Sequence, residues 1–218
     1  MKVAEPDRHA EWLARKRRDR QSGDYRAFVG PDKLYDLVGA MQFNLLTHLG
    51  LREEHYLLDV GCGSLRAGRL FIPYLLPGHY CGIEPEAWLI DAGIKCELGE
   101  EIKRVKQPRF SSDGEFRLGL FGQMFDFIIA QSVFSHASVR QIRRCLAEAR
   151  TVMRPSSIFA ATFVRGEECY DGDEWVSCAP YTLELMMGLA REHSLDCRPI
   201  EWHHPTGQQW LLLTTRQS

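Results

Sequence analysis

The sequence predicts an α/β fold: a mostly parallel sheet with helices on both faces. Three observations predict it. Residues 56–68, YLLDVGCGSLRAG, read as apolar strand, glycine turn and start of an amphipathic helix. Residues 125–130, FDFIIA, form a near-continuous apolar run, the pattern of a central parallel strand buried on both faces. Short apolar runs at 79–83 and 158–164 alternate with segments of helical period at 85–98 and 138–153. A length of 218 residues suffices for one α/β domain with its own core.

In chain order, residues 1–32 are a charged N-terminal arm, with Arg15, Lys16, Arg17, Arg18 and Arg20 clustered behind Trp12 and Leu13. The arm reads as a solvated helix or mobile segment; a lid over an acceptor site or an oligomer contact are the sharper alternatives. Residues 33–218 make the domain. Its first helix, over 33–50, carries apolar residues at 34, 37, 38, 41, 45 and 49 and stops at Gly50. Tyr35 and Gln42 on this helix either pack or reach a ligand. After the strand at 56–60 and the glycine turn, a helix over 65–76 ends at Pro77 and Gly78. The second strand, 79–83, stops at Glu84 and Pro85. A helix over 85–98 has Trp88, Leu89, Ala92 and Cys96 on its apolar side, with 99–106 as a charged continuation. A third strand ends near the polar stretch 108–116.

Beyond the carboxyl end of the strand at 125–130 come Gln131, Ser132 and His136, on the edge where open α/β sheets bind ligands. The helix over 138–153 places Arg140, Arg143, Arg144 and Arg150 on a solvated face. Residues 154–157, RPSS, form a turn into the fifth strand at 158–164. The connection 165–180 is longer than the usual roughly 2–6 residues and carries Tyr170 and Trp175 among acids, as a lid or binding segment does. A helix capped by Thr182, a strand over 195–202, a loop with His203 and His204, and a strand over 209–214 close the chain as a hairpin.

Asp59 bears on the ligand. A carboxylate two residues before Gly61 repels a pyrophosphate and attracts a cation. S-adenosylmethionine (SAM) carries an ammonium and a sulfonium, with a carboxylate small enough to sit on backbone N–H groups. A dinucleotide loop of the form G-x-G-x-x-G needs glycine at position 66, which is Arg66 here. Glu84 lies 21 residues after Gly63, near the spacing of the acid that binds ribose hydroxyls in nucleotide-binding βαβ units.

The stretches LDVGCGSLRAG at 58–68, GIEP at 82–85 and AQSVFSH at 130–136 resemble the class I SAM-dependent methyltransferases, above all small bacterial-type enzymes with small-molecule acceptors. The resemblance covers about residues 34–213. It implies a Rossmann-like, seven-stranded, mostly parallel sheet with an antiparallel last strand and an accessory N-terminal helix. It implies SAM as cofactor, held by Asp59, Gly61, Cys62, Gly63, Ser64, Glu84, Pro85, Gln131 and Ser132. The family holds the adenine amino group through a side chain after the third strand, for which Asp113 and Ser112 are the candidates. Arg66 either pairs with the methionine carboxylate or faces solvent.

Methyl transfer from a sulfonium is an in-line displacement, so the protein mainly aligns donor and acceptor and excludes water. An oxygen or nitrogen acceptor also loses a proton to a base or to solvent. His136 is the expected catalytic base, because imidazole titrates near neutrality; capping the next helix or packing the wall is its alternative. His203 and His204 are the second choice, with fixing of the hairpin loop as theirs. Together with Tyr170 and Trp175 they form the expected substrate-binding set. The expected function is O-methylation of a small molecule, a sugar or natural product. A non-catalytic SAM-binding module, a SAM-fold enzyme with other chemistry and an NAD-dependent dehydrogenase are the alternatives.

Composition narrows the partners. Lys and Arg number 27 against 29 Asp and Glu, so no basic field recruits nucleic acid. Seven cysteines, an odd count without a C-x-x-C pair, argue against a disulfide framework and a common zinc site, and no metal is expected. Cys81 and Cys145 read as reduced core residues. No apolar leader and no run of 18 apolar residues occur, so no membrane span is expected and a cytoplasmic location is the default. A homodimer is left open.

Overall fold

The computed structural model describes residues 7–216; residues 1–6 of the expected arm and residues 217–218 lie outside the described residues. Strands β1 (Leu57–Val60), β2 (Tyr80–Ile83), β3 (Arg109–Ser111), β4 (Phe125–Ala130) and β5 (Met153–Arg165) pair in parallel. Strand β6 (Pro180–Tyr181) is a two-residue addition to the end of β5. Strand β7 (Leu195–Ile200) pairs antiparallel with β8 (Gln209–Thr215), which pairs antiparallel with β5. The seven-strand path is β3-β2-β1-β4-β5-β8-β7, the Rossmann-like, mostly parallel sheet with an antiparallel last strand that was expected. The chain departs in opposite directions from β1 and β4, so a crevice opens at their carboxyl ends.

Both faces of the sheet are covered, and the strands show it residue by residue. Leu58, Val60, Ile128 and Ala130 pack into one core with Ile142, Leu146 and Leu189. Their neighbours Leu57, Phe127 and Ile129 pack into a second core with Leu45, Phe71 and Ile90. Alternation across a strand buried on both sides explains why FDFIIA contains almost no polar residue. The first core is roofed by α7 (Val139–Val152) and α8 (Leu183–Glu192), the second by α3 (Tyr35–His48), α4 (Gly68–Tyr74) and α5 (Ala87–Gly93). Ser138 starts α7 with a full capping box to Gln141, and Thr182 caps α8. Among the described residues, no helix is long and apolar enough to cross a membrane.

Three local expectations are corrected. The helix after the glycine turn starts at Gly68, three residues later than its period suggests, because Leu65 takes a left-handed φ of 60° and holds 65–67 in a turn. Arg66 therefore sits in that turn and not at a helix N-terminus. The charged continuation after α5 is a separate helix, α6 (Glu100–Lys106), divided from it by a π-helical turn and by Gly99 at φ 88°. Residues 154–157 belong to β5 as an irregularity: Met153 pairs with Phe125 and Ile158 with Phe127. Ser157 holds that irregularity closed, donating to the Phe125 carbonyl (2.6 Å) and accepting from the Arg154 N–H (2.7 Å).

Two helices precede this domain core. α1 (Arg8–Ser22) is capped by the Asp7 carboxylate and ended by Gly23, and α2 (Tyr25–Phe28) follows. α1 buries no residue completely, yet it is fastened over the crevice. Arg20 pairs with Glu86 (3.0 Å), Lys16 donates to the Phe28 carbonyl, and the Trp12 ring stacks on His136 at 5.9 Å.

Candidate active site

One cavity of about 410 Å³ lies at the carboxyl ends of β1, β2 and β4. It is within the size range of small-molecule sites, roughly 300–1,000 Å³. Asp59, Gly61, Cys62, Gly63, Ser64, Arg66, Glu84, Pro85, Asp113, Gln131, Ser132, His136 and Trp175 all line it. Of the other expected substrate residues, Tyr170 turns its hydroxyl to the Glu174 carbonyl (2.9 Å) and packs against the core beside α7, away from the cavity. His203 is exposed, and His204 is buried behind Gln131. These three do not line the wall. The hairpin loop turns one histidine out and the other in, a distinction two adjacent identical residues cannot reveal in sequence.

The glycine turn is shaped by close approach. Gly61 and Gly63 have φ of 73° and 54°. A Cβ on Gly61 would sit 2.7 Å from the Val133 side chain, and one on Gly63 would sit 3.0 Å from Val29. The turn is also braced from behind. Tyr35, fully buried, places its hydroxyl 3.0 Å from both the carbonyl and the hydroxyl of Ser64. Ser132 and Phe116, both in the cavity wall, hold left-handed φ of 60° and 54°, strain of a kind that gathers at functional sites.

Charge in the cavity is arranged in opposed pieces. Asp59 is 4% exposed and accepts a hydrogen bond from Tyr80 (2.8 Å). Burial pushes its pKa up to about 7, against the pull of the Tyr80 hydroxyl and of Arg66. Glu84 accepts from the Gly63 N–H through Oε2 and from the Glu86 N–H through Oε1, both at 3.0 Å. Burial raises its pKa, and these two N–H groups oppose the rise. A carboxylate has about four lone-pair sites, so Glu84 can still receive two hydroxyls. Arg66 donates to the Val29 carbonyl (3.1 Å) and to Gln131 Oε1 (2.5 Å), and its Nε is buried without a partner among the described residues. No carboxylate among the described residues forms an ion pair with it, and burial lowers its pKa to about 10. Two of its five N–H donors are used, which leaves three for an anion.

His136 is partly buried and its Nδ1 lies 2.9 Å from the Val176 carbonyl. A carbonyl only accepts, so Nδ1 carries the proton and Nε2 is left with a free lone pair. Burial lowers the pKa of this histidine, opposed by its backbone hydrogen bonds. Asp113 lines the cavity but spends both carboxylate oxygens on Arg117 and on the Glu115 N–H. Burial works against its ionisation, yet those hydrogen bonds outweigh it and lower the pKa.

Several wall residues escaped the sequence reading. Trp12, Leu13 and Lys16 come from α1, Phe28 and Val29 from α2 and its end, and Phe116 from the loop after β3. Burial lowers the Lys16 pKa to about 8, and neighbouring Arg15 adds to this. Tyr80 occupies an ordinary strand position and shows no signal until β2 is laid beside β1, where its neighbour Gly82 pairs with Asp59.

The crevice of a Rossmann-like sheet thus brings together a bare glycine turn, the acids Asp59 and Glu84, and a guanidinium that no carboxylate among the described residues pairs with. Residues 58–159, just under half of the chain, match the family model described as a methyltransferase domain. Solved structures share the fold throughout. One is magnesium protoporphyrin IX methyltransferase from Synechocystis PCC 6803 with bound SAM: TM-score 0.67, 14% identity, 98% of this chain and 99% of that one covered. A TehB-like SAM-dependent methyltransferase from Corynebacterium glutamicum gives a TM-score of 0.60 at 17% identity, covering 94% and 100%. A sugar N-methyltransferase from a Streptoalloteichus species gives 0.58 at 12%, covering 84% and 87%. At these identities the likeness is one of fold.

Proposed function

We propose that this chain methylates an oxygen of a small-molecule acceptor, with SAM bound in the cavity. The observation that carries the reading is a buried carboxylate, Asp59, and a guanidinium without a counter-ion among the described residues, Arg66, on one cavity with bare glycine backbone. A zwitterionic, net cationic amino acid tail complements that pair; a dinucleotide pyrophosphate would meet Asp59. When bound, SAM supplies an electrophilic methyl group on a sulfonium.

The residues divide the work. Glu84 receives the ribose hydroxyls, with Gly63 N–H holding its carboxylate in place. Pro85 and Asp113 wall the adenine end, and Cys62 and Ser64 shape the turn beneath. Asp59 faces the ammonium and Arg66 the carboxylate. Gln131 and Ser132 border the space beyond β4, and α1 lays Trp12 and Leu13 over it to exclude water. His136 Nε2 accepts the acceptor hydroxyl proton as the methyl is transferred. Trp175 supplies an apolar wall for the acceptor.

The test is a thermal-shift series with SAM, its demethylated product S-adenosylhomocysteine (SAH) and NAD, followed by a methyl-transfer screen over phenols and sugars. SAM and SAH should stabilise the chain and NAD should not. His136→Ala should lower turnover at least about tenfold, or about 1.4 kcal/mol of barrier. Stabilisation by NAD alone would overturn the assignment, and an undiminished rate in His136→Ala would remove the base.

A further inference from the structure

We propose that His204 is a positioning residue: through the side-chain amide of Gln131 it holds Arg66 in the pose that receives the amino acid carboxylate of the ligand. The inference rests on the SAM reading above and assigns His204 a role out of contact with ligand.

The hydrogen-bond chemistry leaves little choice of orientation. Arg66 Nη2 lies 2.5 Å from Gln131 Oε1, and Gln131 Nε2 lies 3.0 Å from His204 Nε2. On the far side, His204 Nδ1 lies 3.0 Å from Thr206 Oγ1. A guanidinium can only donate, so the amide must present oxygen to Arg66. Its NH₂ then faces His204, whose Nε2 must accept. The imidazole is therefore neutral with its proton on Nδ1, where Thr206 Oγ1 accepts it. Reversing the amide would set NH₂ against guanidinium.

One neighbour favours the other tautomer: the Thr206 N–H, 3.2 Å from His204 Nδ1. Thr206 is exposed, so that amide has water as a partner. Gln131 and His204 are 8% and 5% exposed, and among the described residues the Gln131 amide has Arg66 and His204 Nε2 as its side-chain partners and His204 Nε2 has that amide alone. An unmet donor inside costs more than one at the surface, so the relay from Arg66 outward decides the tautomer. Burial, Arg66 and His203 hold the His204 pKa at about 4, so the neutral form persists at neutral pH. Without this relay, Arg66 keeps the Val29 carbonyl as its one fixed partner among the described residues.

Calorimetric titration with two ligands separates positioning from general damage. SAH carries the amino acid tail; 5′-methylthioadenosine has the nucleoside and sulfur without it. In His204→Phe, SAH should bind about tenfold more weakly while 5′-methylthioadenosine changes by less than about twofold. His204→Gln, which restores an acceptor facing Gln131, should recover most of the SAH affinity. Should phenylalanine unfold the hairpin, Thr206→Val at the exposed end of the relay should shift SAH alone, in the same direction and by less. Unchanged SAH affinity in these variants, or equal losses for both ligands, would overturn the relay and leave the SAM reading standing. A wild-type chain that binds neither ligand would overturn both.

Discussion

Asp59 is a carboxylate held where water barely reaches it, and that position sets opposite demands on stability and binding. Its folded pKa of about 7 stands above the unfolded value of about 3.9. A raised pKa contributes stability below the unfolded value, and that contribution is lost as pH rises from about 4 through about 7. Asp59→Asn keeps an oxygen for Tyr80 and removes the charge. The ligand-free variant should therefore melt higher than wild type at pH 8, by up to a few kcal/mol in stability, with the difference vanishing near pH 4. Thermal melts across pH check this, and the same variant should bind SAM at least about tenfold more weakly. His136 carries the second residue-scale prediction. Its lowered pKa keeps Nε2 free at neutral pH, so kcat/KM should fall on an acid limb below about pH 6.5, and His136→Gln should lack that limb. The place of Asp59 and Glu84 on the cavity was legible because it is set by spacing from a strand and a turn. Tyr80 was not, because its role depends on which strand lies next to it.

At the scale of elements, the glycine turn is clamped between two helices that meet it through glycines of their own. A Cβ on Gly39 of α3 would stand 2.4 Å from the Arg66 carbonyl oxygen, and one on Gly93 of α5 would stand 2.4 Å from the Ser64 carbonyl oxygen. Both obstacles are backbone, so neither can swing aside. Gly39→Ala and Gly93→Ala should each destabilise by about 1–3 kcal/mol, read as a lower urea midpoint, and should weaken SAM binding by displacing the turn. Substitution without effect would mean that the turn is not held by these helices. Helical period located α3 and α5 but could not announce these contacts. It also put the start of α4 too early, since the left-handed Leu65 overrides its own place in the apolar pattern. In β5 the polar run 154–157 imitated a turn because it bulges out of the ladder: pairing with β4 skips from Met153 to Ile158, and the Ser157 hydroxyl closes the bulge on the Phe125 carbonyl of β4.

For the whole molecule, a sheet whose order reverses between β1 and β4 gathers residues from 59 to 136 around one crevice. Strand patterns alone indicated that gathering, because parallel strands have to bring their carboxyl ends together. The α1 side of the cavity was far less legible. Its cover comes from α1, a charged segment with no buried residue, and Trp12 meets His136 across 124 positions of sequence. No period or motif encodes a contact of that kind. The central claim is that one cavity holds SAM with its nucleoside on Glu84 and its amino acid tail between Asp59 and Arg66. A crystal structure of the chain with SAH tests it most directly. The account predicts ribose hydroxyls hydrogen-bonded to Glu84 and the carboxylate paired with Arg66. Ligand density elsewhere on the sheet, or a carboxylate remote from Arg66, would contradict it.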